Sequence, residues 1–98
     1  MDPPLYEISS IANWLNNAAQ VKEKLDVADR GALFKPLARL MEENLPNASA
    51  TDLSRLSWLH LHAGDAPRAL EFAELGLERE PDNIYCQRLV AKLENDRF

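Results

Sequence analysis

The sequence of this 98-residue chain predicts one all-α domain, residues 1–98, with about five helices. The composition is rich in Leu, Ala, Glu and Arg, and it lacks the runs of β-branched and aromatic residues that are typical of strands. Apolar residues recur at spacings of three and four, which is the period of an amphipathic helix. The hydrophobic fraction of 46% and the charged fraction of 28% are ordinary for a globular domain.

The first helix is predicted from about Glu7 to about Leu25. One apolar stripe runs along it at helical spacing: Ile8, Ile11, Ala12, Leu15, Ala18, Ala19 and Leu25. Trp14 and Val21 lie off this stripe and indicate a second contact face. The polar, turn-prone segment 26–31 is then expected to interrupt the helix.

The second helix is predicted from about Ala32 to about Leu45. Its apolar stripe contains Leu33, Leu37, Leu40, Met41 and Leu45. A proline is tolerated in the first turn of a helix, where its missing N–H has no intrahelical acceptor. Pro36 therefore predicts a start no earlier than about Gly31, and an earlier start should kink the helix. Pro46 and Asn47 are expected to end it.

The third helix is predicted to start near Thr51. Ser49 and Asp52 have the spacing of a capping box, although Thr51 is an alternative cap. Three leucines share one side of this helix, namely Leu53, Leu56 and Leu59, whereas Trp58 and Leu61 project to the other side. Gly64 is expected to end the helix, because it adopts a left-handed conformation without strain.

The fourth helix is predicted to begin near Pro67, after Asp65 or Ala66, and to stop before Pro81. One stripe alternates small and large groups, Ala69, Phe72, Ala73 and Gly76, while Leu70 and Leu77 add a second strip.

A fifth helix is predicted to follow caps at Asp82 and Asn83 and to end near Asp96. Its apolar stripe contains Cys86, Leu89, Val90 and Leu93.

The charge, the hydropathy and the cysteine content disfavour several classes of function. A net charge of −5 disfavours binding to nucleic acid or to an anionic membrane, since both require basic surfaces. No apolar run approaches the roughly 20 residues that span a bilayer, and the start of the chain lacks the features of a secretory signal. The single cysteine, Cys86, fits a reducing compartment, and we expect a cytoplasmic protein.

No pattern in the sequence predicts catalysis, a metal site or a cofactor site. His60 and His62 are two residues apart, which places them on opposite sides of a helix, whereas helical metal ligands lie three or four apart. Glu42 and Glu43 are adjacent and point apart, so they do not form an acid–base pair. Cys86 is interpreted as a small apolar residue on a helix face.

The segment from Leu53 to Pro81 resembles a tetratricopeptide repeat, whose pattern places W-x2-L-G-x2-Y on the first helix. In this register Leu53 stands at the Trp position and Leu56 matches the Leu. Ser57 stands at the small Gly position and His60 at the aromatic Tyr position.

The second half of the segment also follows the repeat pattern, which continues with A-x3-F and a closing proline. Gly64 and Asp65 match the turn between the helices. Ala69 matches the Ala, Ala73 replaces the Phe, and Pro81 matches the proline.

The resemblance implies a domain organisation as well as a fold. Residues 50–83 form a 34-residue repeat unit, and residues 84–96 form a terminal, capping helix. Residues 7–46 form a second, degenerate helical hairpin, in which Phe34, Met41 and Pro46 fall near the small, small and proline positions. Antiparallel hairpins of this family stack into a short right-handed superhelix.

The resemblance further implies a non-catalytic protein–protein interaction module, in which the first helix of each repeat lines a concave groove. By register, the groove residues are Thr51, Ser54, Arg55, Trp58, Leu61 and His62 from the third helix, and Tyr85, Arg88 and Lys92 from the fifth. Six of them are the candidate partner-binding residues: Trp58, Leu61, His62, Tyr85, Arg88 and Lys92.

The expected partner is a protein or peptide, extended or helical, that carries acidic groups or a free carboxylate. The carboxylate-binding members of the family use Lys and Asn on the groove helices. Here Thr51, Ser54 and Trp58 occupy comparable places, so that specialised activity is not expected.

Alternative interpretations remain open at this point. Trp58 and Tyr85 could pack against neighbouring helices, and Arg88 with Lys92 could form an ordinary solvated face. The chain as a whole could be a structural or self-associating helical fragment of a larger protein, with a homodimer as one form. A nucleic-acid module is a third, less favoured alternative.

Overall fold

The computed structural model describes residues 5–22 and 27–96. These residues form five α-helices and one short 3-10 helix, and no strand occurs among them. The α-helices are α1 (Leu5–Lys22), α2 (Val27–Glu42), α3 (Ala50–His62), α4 (Ala66–Arg79) and α5 (Ile84–Asp96), and the 3-10 turn Leu45–Asn47 joins α2 to α3. The predicted all-α fold with about five helices is confirmed.

The ends of α3 are built as the sequence predicts. At the start, the Ser49 hydroxyl accepts from the Asp52 N–H at 3.1 Å and the Asp52 carboxylate accepts from the Ser49 N–H at 3.0 Å. This reciprocal capping box satisfies two backbone donors that lack intrahelical acceptors. At the other end Gly64 has φ 87°, and the Asp65 N–H donates to the His60 carbonyl at 2.8 Å. A left-handed glycine with these bonds reverses the chain tightly into α4.

The caps of α4 and α5 also follow local rules. The Asp65 carboxylate accepts from the Arg68 N–H at 3.2 Å, and Pro67 lies in the first turn of α4. The Asn83 side chain accepts from the Cys86 N–H at 3.0 Å at the start of α5. Asn83, rather than the exposed Asp82, is therefore the cap of α5.

The predicted bounds of α2 are wrong. The helix begins at Val27, five residues before the predicted start, so Pro36 lies in the helix interior. An interior proline removes one intrahelical hydrogen bond and costs ~3 kcal/mol. Core contacts on both sides of the proline offset this cost, because Phe34 and Ala38 are both buried. The helix ends at Glu42, and Pro46 lies in the 3-10 turn that follows.

The side chains of α1 and α2 also depart from the predicted stripes. Ile11 is 51% exposed, although it was placed on the buried stripe of α1. Among the described side chains of α2, Phe34, Ala38 and Met41 are buried, whereas Leu37 and Leu40 are only partly buried. The predicted end of the first helix at Leu25 lies outside the described residues. The side chains of Ala18, Ala19, Val21 and Leu33, which belong to the predicted apolar faces, also lie outside the described part of the structure.

Helix α3 is the centre of the fold. It packs against each of the other four helices, and α1–α2 and α4–α5 form the remaining main contacts. Its leucine face, with Leu53, Leu56 and Leu59 all at 1% exposure or less, joins the core between α1, α2 and α4. On the side toward α4, the buried Ser57 hydroxyl donates to the Ala69 carbonyl at 2.5 Å.

A close contact joins α3, α4 and α5. Gly76 of α4 lies against the Cys86 sulfur of α5 and against Ala50 and Leu53 of α3. A Cβ at position 76 would overlap the Cys86 sulfur. The Cys86 thiol also donates to the Ala50 carbonyl at 3.3 Å, so a small residue on each helix permits this approach. Within the part of the chain that the structure describes, no helix is both long and apolar enough to traverse a bilayer.

Candidate functional site

Three alternate helices, α1, α3 and α5, line one concavity of about 260 Å³, which we call the polar groove. Its lining residues are Asn13, Asn16 and Asn17 from α1, Thr51, Ser54, Arg55 and Trp58 from α3, and Tyr85 from α5. The α3 residues follow the spacing i, i+3, i+4 and i+7, so they share the helix face opposite the buried leucines. The amphipathic pattern of α3 therefore directs one face to the core and the other to the groove.

Hydrogen bonds attach the groove wall of α1 to α3. The Ser9 hydroxyl donates to the Asp52 carboxylate at 2.6 Å, and Arg55 Nη1 donates to the Ser9 oxygen at 2.9 Å. The Asn16 amide donates to the Arg55 carbonyl at 3.2 Å. Ser9 and Asn16 are both nearly inaccessible to solvent, so these bonds form in a partly dry contact where they hold the two helices in register.

On the α5 side of the groove, Asn83, the cap of α5, contacts α3. The Asn83 amide lies 3.4 Å from the Thr51 hydroxyl, which lines the groove from α3. Tyr85 follows two residues later and is 54% exposed. An exposed aromatic side chain beside a groove gives a rigid apolar surface that a partner can cover.

Trp58 belongs to a series of ring contacts that extends from the groove to the core. The Trp58 and His62 rings stack with their centroids 5.3 Å apart, and His62 meets Phe34 of α2 edge-on at 5.7 Å. Phe34 is buried in the core. Trp58 consequently packs against His62 of its own helix, which in turn contacts α2, and Trp58 also lines the groove.

The structure brings together part of the predicted partner-binding set. Trp58 and Tyr85 line the polar groove, and His62 supports Trp58 from the side. Leu61, Arg88 and Lys92 are not among the lining residues. Arg88 and Lys92 are exposed on α5, and Leu61 is half-buried on α3. Whether any of these six residues binds a partner stays a prediction.

Sequence reasoning missed the contribution of α1 to the groove. Asn13, Asn16 and Asn17 occupy i, i+3 and i+4 on one face of that helix. This polar stripe beside the apolar one is a signal that could have placed α1 in the groove. Its Asn16 is 6% exposed, and the Asn16 Oδ1 atom accepts no hydrogen bond from the described residues.

A second polar cluster lies behind the groove, between α2, α3 and α4. His60 Nε2 lies 3.8 Å from a Glu42 oxygen, and Arg68 lies 3.3 Å from the other Glu42 oxygen. The His60 ring also stacks on Phe72 with centroids 5.3 Å apart. Burial lowers the pKa of His60 below its usual 6.5, although the Glu42 carboxylate partly opposes this. His60 is thus a neutral, buried side chain at neutral pH.

Cys86 and a metal site are the remaining features considered in the sequence. Cys86 is fully buried, and burial together with Glu80 raises the pKa of its thiol to about 11, so it remains protonated and unreactive. Among the described residues, no three His, Cys, Asp or Glu side chains come together in a way that could hold a metal ion.

Neither a family model, nor a curated protein, nor a solved structure matches this chain.

Proposed function

We propose that this chain is a tetratricopeptide-repeat-like adaptor that binds a segment of another protein in the polar groove, without catalysis. The observation that carries the proposal is the construction of the groove from alternate helices, α1, α3 and α5. Stacked helical hairpins present the first helix of each hairpin on one concave surface, which is where such proteins bind their partners.

The burial of the repeat positions supports this proposal. The residues at the pattern positions of the two helices are all buried: Leu53, Leu56, Ser57, His60, Ala69 and Ala73. Ser57 stands at the small position of the pattern, and its hydroxyl reaches the α4 backbone directly. His60 stands at the aromatic position and stacks on Phe72 of α4. These contacts are those that a hairpin needs at positions of close helix approach.

The order of helix packing is also consistent with stacked hairpins. Helix α3 packs on α1 and α2 before it and on α4 and α5 after it. In the proposal, α1 and α2 are a degenerate hairpin, α3 and α4 are the repeat unit, α5 is the capping helix, and the hairpins form a short right-handed superhelix. The proposal also places the protein in the cytoplasm, where the lone Cys86 thiol would remain reduced.

A peptide selection tests the adaptor proposal. A random-peptide phage library is selected on the full chain, and the enriched peptides are synthesised and titrated by calorimetry. Tyr85→Ala should weaken binding by about tenfold or more, because exposed aromatic residues in a groove commonly contribute more than ~1 kcal/mol to binding. Trp14→Ala is the matched control, since Trp14 is 68% exposed but does not line the groove.

The outcomes of this selection are distinct. Peptides that lose affinity with Tyr85→Ala and keep it with Trp14→Ala support the groove as a binding site. A selection that enriches no peptide, or peptides that bind both variants as they bind the original chain, contradicts the proposal. Helical circular dichroism and melting curves confirm that both variants are folded.

A structural or self-associating role is the second candidate, and specific apolar surfaces favour it. Ile11 and Trp14 are exposed on α1. At the other end of the helix array, a concavity of about 230 Å³ lies between α4 and α5 and is lined by Ala66, Pro67, Leu70 and Leu93. Apolar surface at both ends of a helical stack is a common cause of association.

A further inference from the structure

The polar groove contains a cation that makes no direct ion pair with any described residue. Arg55 lines the groove, and no carboxylate of the described residues lies within ion-pairing distance of its guanidinium. Two other arginines have internal acceptors: Arg68 pairs with Glu42, and Arg79 donates to the carbonyls of Leu45 and Ala48.

The Arg55 side chain is held by a neutral hydroxyl, which links it to a carboxylate. One guanidinium nitrogen donates to the Ser9 hydroxyl, and Ser9 in turn donates to Asp52. Asp52 is itself occupied by the Ser49 N–H of the capping box. A guanidinium has five N–H donors, and the described contacts use one of them. The Ser9 contact therefore orients the guanidinium, and its other N–H groups have no hydrogen-bond acceptor among the described residues.

The surroundings of Arg55 favour a single negative charge. Parallel N–H groups of a guanidinium match the two oxygens of a carboxylate or of a phosphate. The Ser9 hydroxyl bridges Arg55 to the Asp52 carboxylate, and the chain as a whole is acidic. Repulsion from these charges disfavours a doubly charged phosphate more than a singly charged carboxylate.

The position of Arg55 along α3 favours a side chain over a chain terminus. The groove extends to Thr51 on one side of Arg55 and to Trp58 on the other. A segment that follows the groove would therefore pass Arg55 and continue past it. We infer that Arg55, held by Ser9, is the recognition site for an Asp or Glu side chain within the bound segment, with Trp58 and Tyr85 contacting its neighbours. This inference rests on the proposed function.

Peptide arrays with one fixed position test this inference. The peptides are acetylated and amidated at their ends and are random except at one central position. That position is Glu, Gln, Lys or phosphoserine, which gives four arrays. A fifth array has Gln at the central position and free carboxyl termini. The full chain should bind the Glu array about tenfold or more above the Gln array, because charge-assisted hydrogen bonds are the stronger class. Added salt should reduce this preference.

Variants of the chain assign the preference to Arg55. Arg55→Gln should reduce the Glu-over-Gln preference to about onefold, and Arg55→Lys should retain part of it, because it keeps the charge and loses the planar fork. Arg39→Gln is the matched control, since it removes the same charge from an exposed residue of α2 that does not line the groove. Melting curves exclude a loss of folding in Arg55→Gln.

Each result of this experiment decides between the claims. Binding without a Glu preference, or a preference that survives Arg55→Gln, overturns the assignment to Arg55 but leaves peptide binding in the groove intact. A stronger signal for phosphoserine than for Glu, or for free carboxyl termini alone, overturns the choice of a side-chain carboxylate. Absence of binding to every array contradicts the proposed function, and the inference is overturned with it.

Discussion

His60 shows how a single buried side chain can make the stability of this fold depend on pH. It is held between Glu42 of α2 and Phe72 of α4, and Arg68, Glu71 and Asp65 are the other charged groups that act on it. Desolvation dominates these influences and lowers the pKa of His60. The folded protein therefore binds a proton at this position less readily than the unfolded chain does.

Stability should consequently fall as the pH falls through and below 6.5, the ordinary pKa of histidine in the unfolded chain. Above that pH His60 is neutral in both the folded and the unfolded state, so its protonation does not reduce the free energy of unfolding. Urea unfolding between pH 8 and pH 5 should show a smaller decrease in the free energy of unfolding for His60→Gln than for the original chain. Each unit of pKa difference corresponds to about 1.4 kcal/mol.

Glu42→Gln should have the opposite effect to His60→Gln, because the Glu42 carboxylate raises the pKa of His60 more than any other charged group does. Its removal should make the decrease at low pH steeper. Equal pH dependence in the original chain and in His60→Gln would show that His60 does not carry this effect.

At the scale of the secondary-structure elements, the contact between α4 and α5 depends on Gly76. Helix propensity alone predicts that Gly76→Ala stabilises α4 by up to about 1 kcal/mol. The close approach of the Cys86 sulfur predicts the opposite, because the added methyl group has no room. We expect a net destabilisation of about 1–3 kcal/mol, measured by urea unfolding.

A double-mutant cycle identifies the cause. Cys86→Ala removes the sulfur, so the double variant should be less destabilised than the sum of the two single variants by about 1 kcal/mol. A stabilised Gly76→Ala variant, or strict additivity, would mean that the contact between these helices relaxes without cost.

The ends of the helices show which features could be predicted from neighbouring residues and which could not. The capping box at Ser49 and Asp52 and the left-handed Gly64 were predictable, because each involves residues a few positions apart. The start of α2 was not predictable from Pro36, since the local cost of an interior proline is offset by burial of Phe34 and Ala38 in a core that other helices complete.

At the scale of the whole molecule, the two proposed functions differ in solution mass. The adaptor proposal expects one chain of 11.1 kDa across a wide concentration range in sedimentation equilibrium. Self-association through the apolar ends would instead raise the mass with concentration, and Trp14→Ser should reverse that rise because it removes the most exposed of the large apolar side chains described here.

Tyr85→Ser is the control for this measurement, since it removes an exposed aromatic residue from the groove and leaves the apolar ends unchanged. A rise in mass that Trp14→Ser reverses and Tyr85→Ser leaves intact would favour the structural role over the adaptor. A constant mass of one chain would leave the polar groove as the principal candidate for partner binding.

The groove could be predicted only in part. The register of the repeat placed Thr51, Ser54, Arg55 and Trp58 on one helix face, and the structure places all four in the groove. It also placed Arg88 and Lys92 there, and these two residues are exposed on α5 outside the lining of the concavity. The helical period assigns a residue to a face, but the rotation and tilt of α5 against α3 decide how far along that face the groove extends.

The amino-acid sequence alone determined the helical class, most helix ends and the buried leucine face of α3, because these features arise from interactions between residues a few positions apart. Only the tertiary structure decided which side chains of α1 reach the groove, and that Arg55 makes no ion pair with a described residue. Ser9 and Arg55 are separated by 46 positions, so their contact depends on how α1 packs against α3. Such packing is set by the shapes of entire helix faces, which no local pattern specifies.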